Sequence, residues 1–427
     1  MKSSERSMRS VWRRIVGLAG AALVLIAGTA APAQRLYQFP QRLEIPAGQD
    51  VMVPWTRWLP LSVVNGNSRP LMIQSAADLD FYTPTSGHYL LHLRLFGWLP
   101  WRGLPVDVTK PIYAVPGGQS IGVVVHTRGL IVTNLTVIDD RGRLSDPAGA
   151  AGIERGDVIM RVDGRLATSV SLLRRRVARD GAQHRAVVLW VEGARAGRQR
   201  VVAPTWSTRT QSWRLGLAVQ DRTSGVGTLT FFDPRTHRFT ALGHSMTDGV
   251  TRRPIGILAG RAMGADIVGV VPASPSQPGQ KVGVLAGPAN ISGVVTANGR
   301  LGIVGQLDHP PIWGPAQAMP VAFPDQVHVG PAEIVTVLHG QHPQMFQIEI
   351  LKTAAQYSPS VKGLLFKVTD PRLMEQTGGI VQGMSGSPII QSGRVVGAVT
   401  HVLVNRPWLG FGCYAYWMAQ QSSYGLG

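Results

Sequence analysis

The segment TGGIVQGMSGSPIIQSGRVVGAVTHV, Thr377–Val402, places two serines, Ser385 and Ser387, between glycines and directly ahead of an apolar run. Gly and Ser are common turn residues, because glycine reaches positive φ and serine bonds to nearby backbone. The same residues suit a nucleophile on a tight turn, with backbone N–H groups left free to hold an oxyanion. The turn Gly383-Met384-Ser385-Gly386-Ser387-Pro388 runs into Ile389-Ile390-Gln391, a second turn at Ser392-Gly393-Arg394, and the apolar Val395–Val402. Four residues in isolation admit both readings, so the rest of the chain has to decide.

A chain of 427 residues has room for about two to three domains. Its 44% apolar and 15% charged residues suit a globular protein with a sizeable core rather than a disordered one. Fifty glycines and thirty prolines point to many turns and short strands. The single cysteine, Cys413, excludes an intrachain disulfide, and its setting in GFGCYAYW suits packed core better than thiol chemistry. A net charge of +18 could attract phosphate, but the arginines are spread along the chain, with one local cluster at Arg174–Arg176. No nucleic-acid partner is therefore expected. The eleven histidines form no H-E-x-x-H pattern, so neither a metal nor another cofactor is expected.

Arg6, Arg9, Arg13 and Arg14 precede an uncharged stretch from Ile15 to Gln34. A positive flank followed by about twenty apolar residues is the pattern of a secretory signal or signal anchor. Residues 1–34 are thus expected to be a cytoplasmic basic tail with an anchor or signal peptide. The remainder is expected to work outside the cytoplasm, membrane-anchored or secreted.

Residues 35–116 show apolar alternation such as HYLLHLRLF, His88–Phe96, separated by turn signals, which predicts a small β-rich region. Residues 117–205 change pattern. A glycine-bearing loop precedes two strands, and Asp146–Ala167 reads as a short helix, a Gly-Asp turn and a hairpin. Ser169 is a plausible N-cap for a helix with Leu172, Leu173, Val177 and Ala178 on one face. Ala148, Ala151, Gly152, Ile153, Gly156, Asp157 and Ile159 fit a recurrent internal signature, and the region resembles a PDZ domain of the bacterial periplasmic-protease type. The resemblance implies capture of an extended peptide by strand addition. It also implies that Gly118, Gln119, Ser120, Ile121, Gly122 and Val123 form the loop that binds its carboxylate.

From residue 206 to 427 the chain is glycine-punctuated β sequence without a long amphipathic helix, which predicts a barrel or sandwich pair. The stretch FTALGHSMTD puts His244 just past a strand. With Ser385 and an aspartate it would complete a nucleophile, base and orienting carboxylate. Asp248, Asp266, Asp308, Asp325 and Asp370 all lie downstream of His244; Asp370 ends an apolar strand just before a proline.

The serine segment resembles the active site of chymotrypsin-like peptidases. That likeness selects Ser385 over Ser387 as nucleophile. It gives the N–H groups of Gly383 and Ser385 to the oxyanion hole and lines the specificity pocket with Val399, Thr400 and His401.

The order of anchor, small β region, PDZ-like region, ALGHSMTD and KVTDPRLMEQTGGIVQGMSGSPIIQSGRVVGAVTHVLVN is similar to the SpoIVB serine peptidase family of endospore-forming bacteria. The resemblance implies a mainly β protein ending in a double β-barrel, chymotrypsin-like peptidase domain, with His244, Asp370 and Ser385 as its triad. It further implies extracytoplasmic cleavage of a membrane-bound regulator in the space between forespore and mother-cell membranes. That cleavage would release an intramembrane metalloprotease and so activate a late sigma factor. Self-cleavage is implied as well. The alternative from the residues alone is a catalytically silent PDZ scaffold, which would need neither His244 nor the Gly383–Pro388 turn.

Overall fold

A computed structural model describes residues 42–48, 51–54, 61–65, 78–81, 85–96, 98–193, 197–249, 252–286, 291–311, 317–354 and 358–424. The expected tail and anchor, residues 1–34, lie outside them. Among the described residues no helix is long and apolar enough to cross a membrane. The chain divides into two compact units, Met1–Pro111 and Ile112–Gly427.

The first unit is β, as its alternation predicts. Strand Gly87–Leu95 buries Leu91 and Leu93 while His88, Leu90, His92 and Arg94 face out. It pairs antiparallel with Leu99–Thr109, which pairs parallel with Leu43–Pro46. Leu43, Ile45, Leu91, Leu93, Leu104, Val106 and Val108 form one core.

The second unit contains two six-stranded barrels. The first is closed by Ser120–Leu135 (β1), Leu217–Phe232 (β5), Arg238–Leu242 (β6), Gly302–Leu307 (β10), Ser292–Gly299 (β9) and Ile257–Val271 (β7), with β7 returning to β1. Its interior holds Ile121, Val123, Val125, Leu229, Phe239, Ala241, Ala262 and Ile303. The second is closed by Gly330–Thr336 (β11), Gln344–Thr353 (β12), Leu364–Val368 (β13), Arg406–Tyr414 (β16), Arg394–Leu403 (β15) and Pro388–Gln391 (β14). Its core gathers Ile334, Phe346, Ile348, Ile350, Phe366, Ile389, Val396 and Val399. The expected double-barrel fold is present. Closure removes the open sheet edges that a set of short strands would otherwise expose.

The boundary between the barrels and the region expected to be a PDZ domain differs from the expected 117–205 and 206–427. Strand β1 belongs to the first barrel over much of its length and pairs with β5 from Leu135↔Leu217 to Ser120↔Thr228. Residues 136–216 are thus an insertion between two paired barrel strands. They hold Val158–Val162 (β2), the helix Val170–Ala182 (α1), Val187–Glu192 (β3) and Arg198–Val202 (β4). The helix starts as its sequence predicts, with the Ser169 hydroxyl accepting from Leu172 N–H at 3.2 Å. It buries Leu173 and Val177 against Ile159, Leu189 and Val191. Leu172 is half-buried and Ala178 exposed, so the apolar stripe is narrower than the expected face.

Candidate active site

The Gly383–Pro388 turn, where the nucleophile is expected, lies between the barrels and is held from both. Gly383 and Gly386 adopt φ of +94° and +93°, a region that costs little only for glycine. At Gly386 the space is closed as well: a Cβ would fall 2.2 Å from the Thr228 carbonyl and 2.5 Å from Leu242 N. From the first barrel, Thr228 N–H donates to the Ser385 carbonyl at 2.9 Å and its Oγ1 to the Gly383 carbonyl at 2.8 Å. From the second, the Val399 carbonyl accepts from Gly386 N–H at 2.7 Å, and Val399 N–H donates to the Ser387 carbonyl at 2.9 Å.

The result orders the two serines. Ser387 is fully buried, and its hydroxyl has no hydrogen-bond partner among the described residues. Ser385 lines an open cleft of about 290 Å³ together with His244, Gly383, Val123, Thr223 and Val226. Its Oγ donates to the Thr400 carbonyl at 3.3 Å, a long contact that leaves the hydroxyl easily redirected. Hydrogen bonds take up the carbonyls of residues 382, 383 and 385 and the N–H of Gly386, but no acceptor among the described residues meets the N–H of Gly383 or Ser385. Two unengaged amides beside an accessible hydroxyl are what an oxyanion site requires.

His244 follows β6, which ends at Leu242 as the RFTAL pattern predicts. Its Nδ1 stands 3.0 Å from the Ser245 carbonyl. A carbonyl only accepts, so Nδ1 carries the proton and Nε2 is left with a lone pair, the tautomer a general base needs. His401 lies beside it, with ring centroids 5.5 Å apart. Desolvation, then the charges of His244 and Lys362, hold the His401 imidazole below the ordinary histidine range.

The carboxylate expected on His244 is placed elsewhere. Asp370 caps the helix Pro371–Thr377 (α2), accepting from Arg372 N–H at 2.9 Å and from Gln347 N–H at 3.2 Å. Arg372 Nη2 donates to Oδ2, the oxygen that also accepts from Gln347, at 2.7 Å. The Arg372 side chain, followed by the two backbone donors, holds the carboxyl down at about 2 against the opposing effect of burial. Asp370 makes no hydrogen bond to His244, because its oxygens are committed to the helix start and the guanidinium. Asp248, also buried, accepts from Gln220 Nε2 at 3.1 Å.

Two further expectations change. Val399 and Thr400 are buried in β15, where Thr400 Oγ1 donates to the carbonyls of Val361 and Phe411; they clasp the nucleophile turn rather than line the cleft. His401 alone of the three is exposed. Residues 118–123 do not form a carboxylate loop. Ser120, Ile121, Gly122 and Val123 are buried barrel backbone paired with β5, and Ile121 to Val123 with β7 too, while Gly118 N–H and the Gln119 carbonyl bond to Leu229. Alternation in GQSIGV suits a strand as well as a loop, and the partners that fix it are about a hundred residues away. A groove does exist in the insertion: about 800 Å³ between α1 and Leu215–Val219, lined by Leu173, Arg174, Val177, Trp213 and Leu217 among others. Cys413 is buried, and burial pushes its thiol up to about 12, which fits a core residue and no nucleophile.

Residues 211–419 match the SpoIVB peptidase S55 family, and this part of the chain is a SpoIVB-type serine peptidase domain. Among solved structures, the chain is similar to the Rv3671c protease of M. tuberculosis. The inactive form matches with 16% identity over 47% of this chain and 85% of that one, TM-score 0.27. The active form matches with 15% identity over 48% and 76%, TM-score 0.26. No curated protein matches the chain.

Proposed function

We propose that this serine peptidase of the SpoIVB type works outside the cytoplasm, where it cleaves a membrane-associated regulatory protein in sporulation signalling and cleaves other copies of itself. The carrying observation is the pairing of an accessible Ser385 with His244 in one cleft, beside the unengaged amides of Gly383 and Ser385. In the reaction, Ser385 Oγ turns from the Thr400 carbonyl and attacks the scissile carbonyl carbon. Its proton passes to His244 Nε2, and the carbonyl electron pair moves to oxygen at the two amides. His244 then returns the proton to the leaving amine. The Ser245 carbonyl does the orienting that a carboxylate does in the familiar triad.

The extracytoplasmic site and regulatory substrate rest on the basic flank and apolar run of residues 1–34 and on the family match. Peptide delivery is assigned to the 136–216 insertion acting as a PDZ-like module, with its groove at α1 and β5. Thr136 N–H donates to the Gly216 carbonyl, so antiparallel alternation turns the N–H and C=O of Leu217 away from β1 and leaves them for an added strand. Arg174, Arg209 and Arg214 on the groove suit a terminal carboxylate.

The test is reaction of the full chain with a fluorophosphonate, followed by peptide mapping. Label on Ser385, absent in Ser385→Ala and retained in Ser387→Ala, is the expected result. Label on Ser387 would overturn the assignment.

A further inference from the structure

Lys281 lies on Gln280–Leu285 (β8), the strand that pairs with β7 and leaves the first barrel to meet the nucleophile turn. Its backbone N–H donates to the Gln382 carbonyl at 2.9 Å. Its side chain then runs beneath the turn: a Cβ on Gly383 would sit 3.2 Å from Lys281 Cβ and Cδ and 3.3 Å from Cγ. The side chain ends in the interior. Nζ donates to Thr336 Oγ1 at 2.7 Å and to Ser120 Oγ at 3.3 Å, one hydroxyl from each barrel. Both hydroxyls are buried, and Lys281 itself is only 6% exposed.

What surrounds the ammonium is neutral. Ser120 faces it from β1, Thr336 from β11, and the backbone of Gln382 and Gly383 from the turn, while β7 sets Val270 opposite Lys281. The acid of β7, Asp266, sits across from Val284, and Glu333 of β11 accepts from Gln347 instead. The titratable groups of the cleft are His244 and, beside it, His401. No carboxylate among the described residues pairs with Lys281.

A buried lysine without an anion is costly, and structures keep one where its charge or its neutral amine has a use. Here the one anion that forms nearby is transient, the oxyanion at the Gly383 and Ser385 amides. We propose that Lys281 is a positioning residue of the oxyanion turn: its stem holds Gly383 in place, and its ammonium supplies positive potential to the tetrahedral intermediate. Burial lowers the Lys281 ammonium to about 7, so it switches between charged and neutral near neutral pH. The charged form is the one that assists.

The inference rests on Ser385 as nucleophile, and the experiment separates the two. The full chain is treated with a fluorophosphonate from pH 5 to 10, and the second-order rate of labelling is followed, with the labelled peptide mapped. The wild-type rate should fall as pH rises through about 7, where Lys281 neutralises. Lys281→Met keeps the stem and removes the charge. Its rate below pH 7 should drop roughly tenfold, since a charge behind the donors is worth less than a donor itself. Its alkaline fall should disappear, which loss of packing alone would not produce. Thr336→Val leaves the lysine but takes away a hydrogen bond to its charged form, so the alkaline fall should move to lower pH. A wild-type rate in Lys281→Met, or an alkaline fall that survives the substitution, overturns the role of Lys281 while leaving Ser385 in place. If Lys281→Met does not fold, an unmoved profile in Thr336→Val overturns it equally. Label on a residue other than Ser385 overturns both readings.

Discussion

Replacing Lys281 with methionine should stabilise the fold, and more so at low pH. Burial takes the ammonium from 10.5 to about 7. Between those values the unfolded chain holds one more proton than the folded chain, so stability rises with pH across that window. The burden of the charged lysine is therefore fully present below about pH 7 and relieved above about pH 10.5. At about 1.36 kcal/mol per unit, the window of roughly 3.5 units corresponds to on the order of 5 kcal/mol as an upper figure. Methionine fills a similar volume and loses the hydrogen bonds to Thr336 at 2.7 Å and Ser120 at 3.3 Å; loss of the short one leaves a buried hydroxyl unsatisfied at about 1–3 kcal/mol, and loss of the long one adds little. A net gain of about 2–4 kcal/mol at pH 6 is expected, turning into a loss by pH 10. Urea unfolding of both proteins at pH 6, 8 and 10, followed by tryptophan fluorescence, measures the difference. A Lys281→Met chain that is less stable at pH 6, or whose difference from wild type is the same at every pH, would show that the buried ammonium does not burden the fold.

Gly386→Ala should lower stability by more than about 2 kcal/mol and abolish labelling, because a Cβ meets the Thr228 carbonyl at 2.2 Å in a left-handed backbone; thermal melts and fluorophosphonate labelling check this. Asp370→Asn should cost about 1 kcal/mol through a weaker helix cap and lost pairing with Arg372, with the labelling rate within about threefold of wild type. The contribution of Asp370 is present above the ordinary aspartate range and is lost as pH falls toward about 2, so wild type and variant should converge in stability at strongly acid pH. A drop in labelling of several orders of magnitude in that variant would instead restore Asp370 to the triad. Arg174→Glu should weaken cleavage of a protein substrate and trans self-cleavage severalfold while leaving fluorophosphonate labelling unchanged, since Arg174 lines the groove and not the cleft. An equal fall in both rates would mean that the insertion supports the barrel and does not select substrate.

Features that neighbouring residues settle among themselves can be read along the chain. Gly383 and Gly386 flank Ser385 within four residues, so the turn around this proposed nucleophile is legible in one stretch. The Ser169 cap, the RFTAL strand before His244 and the alternation in residues 87–95 are local in the same way. The other features depend on contacts between distant segments. Residues 118–123 pattern equally well as a loop or a strand, and it was pairing with β5 and β7 that made most of them barrel wall. Asp370 has a plausible position in the chain for a triad carboxylate, yet Arg372, two residues on, claims it once the helix forms. Lys281, Thr228, Ser120 and Thr336 come from four distant strands and converge around the nucleophile turn. A β-barrel is closed by pairings between distant segments, and the choice of partner is set by burial of whole faces rather than by any short pattern. For that reason the turn around Ser385 and the strand before His244 could be read along the chain, and the distant residues that hold that turn could not.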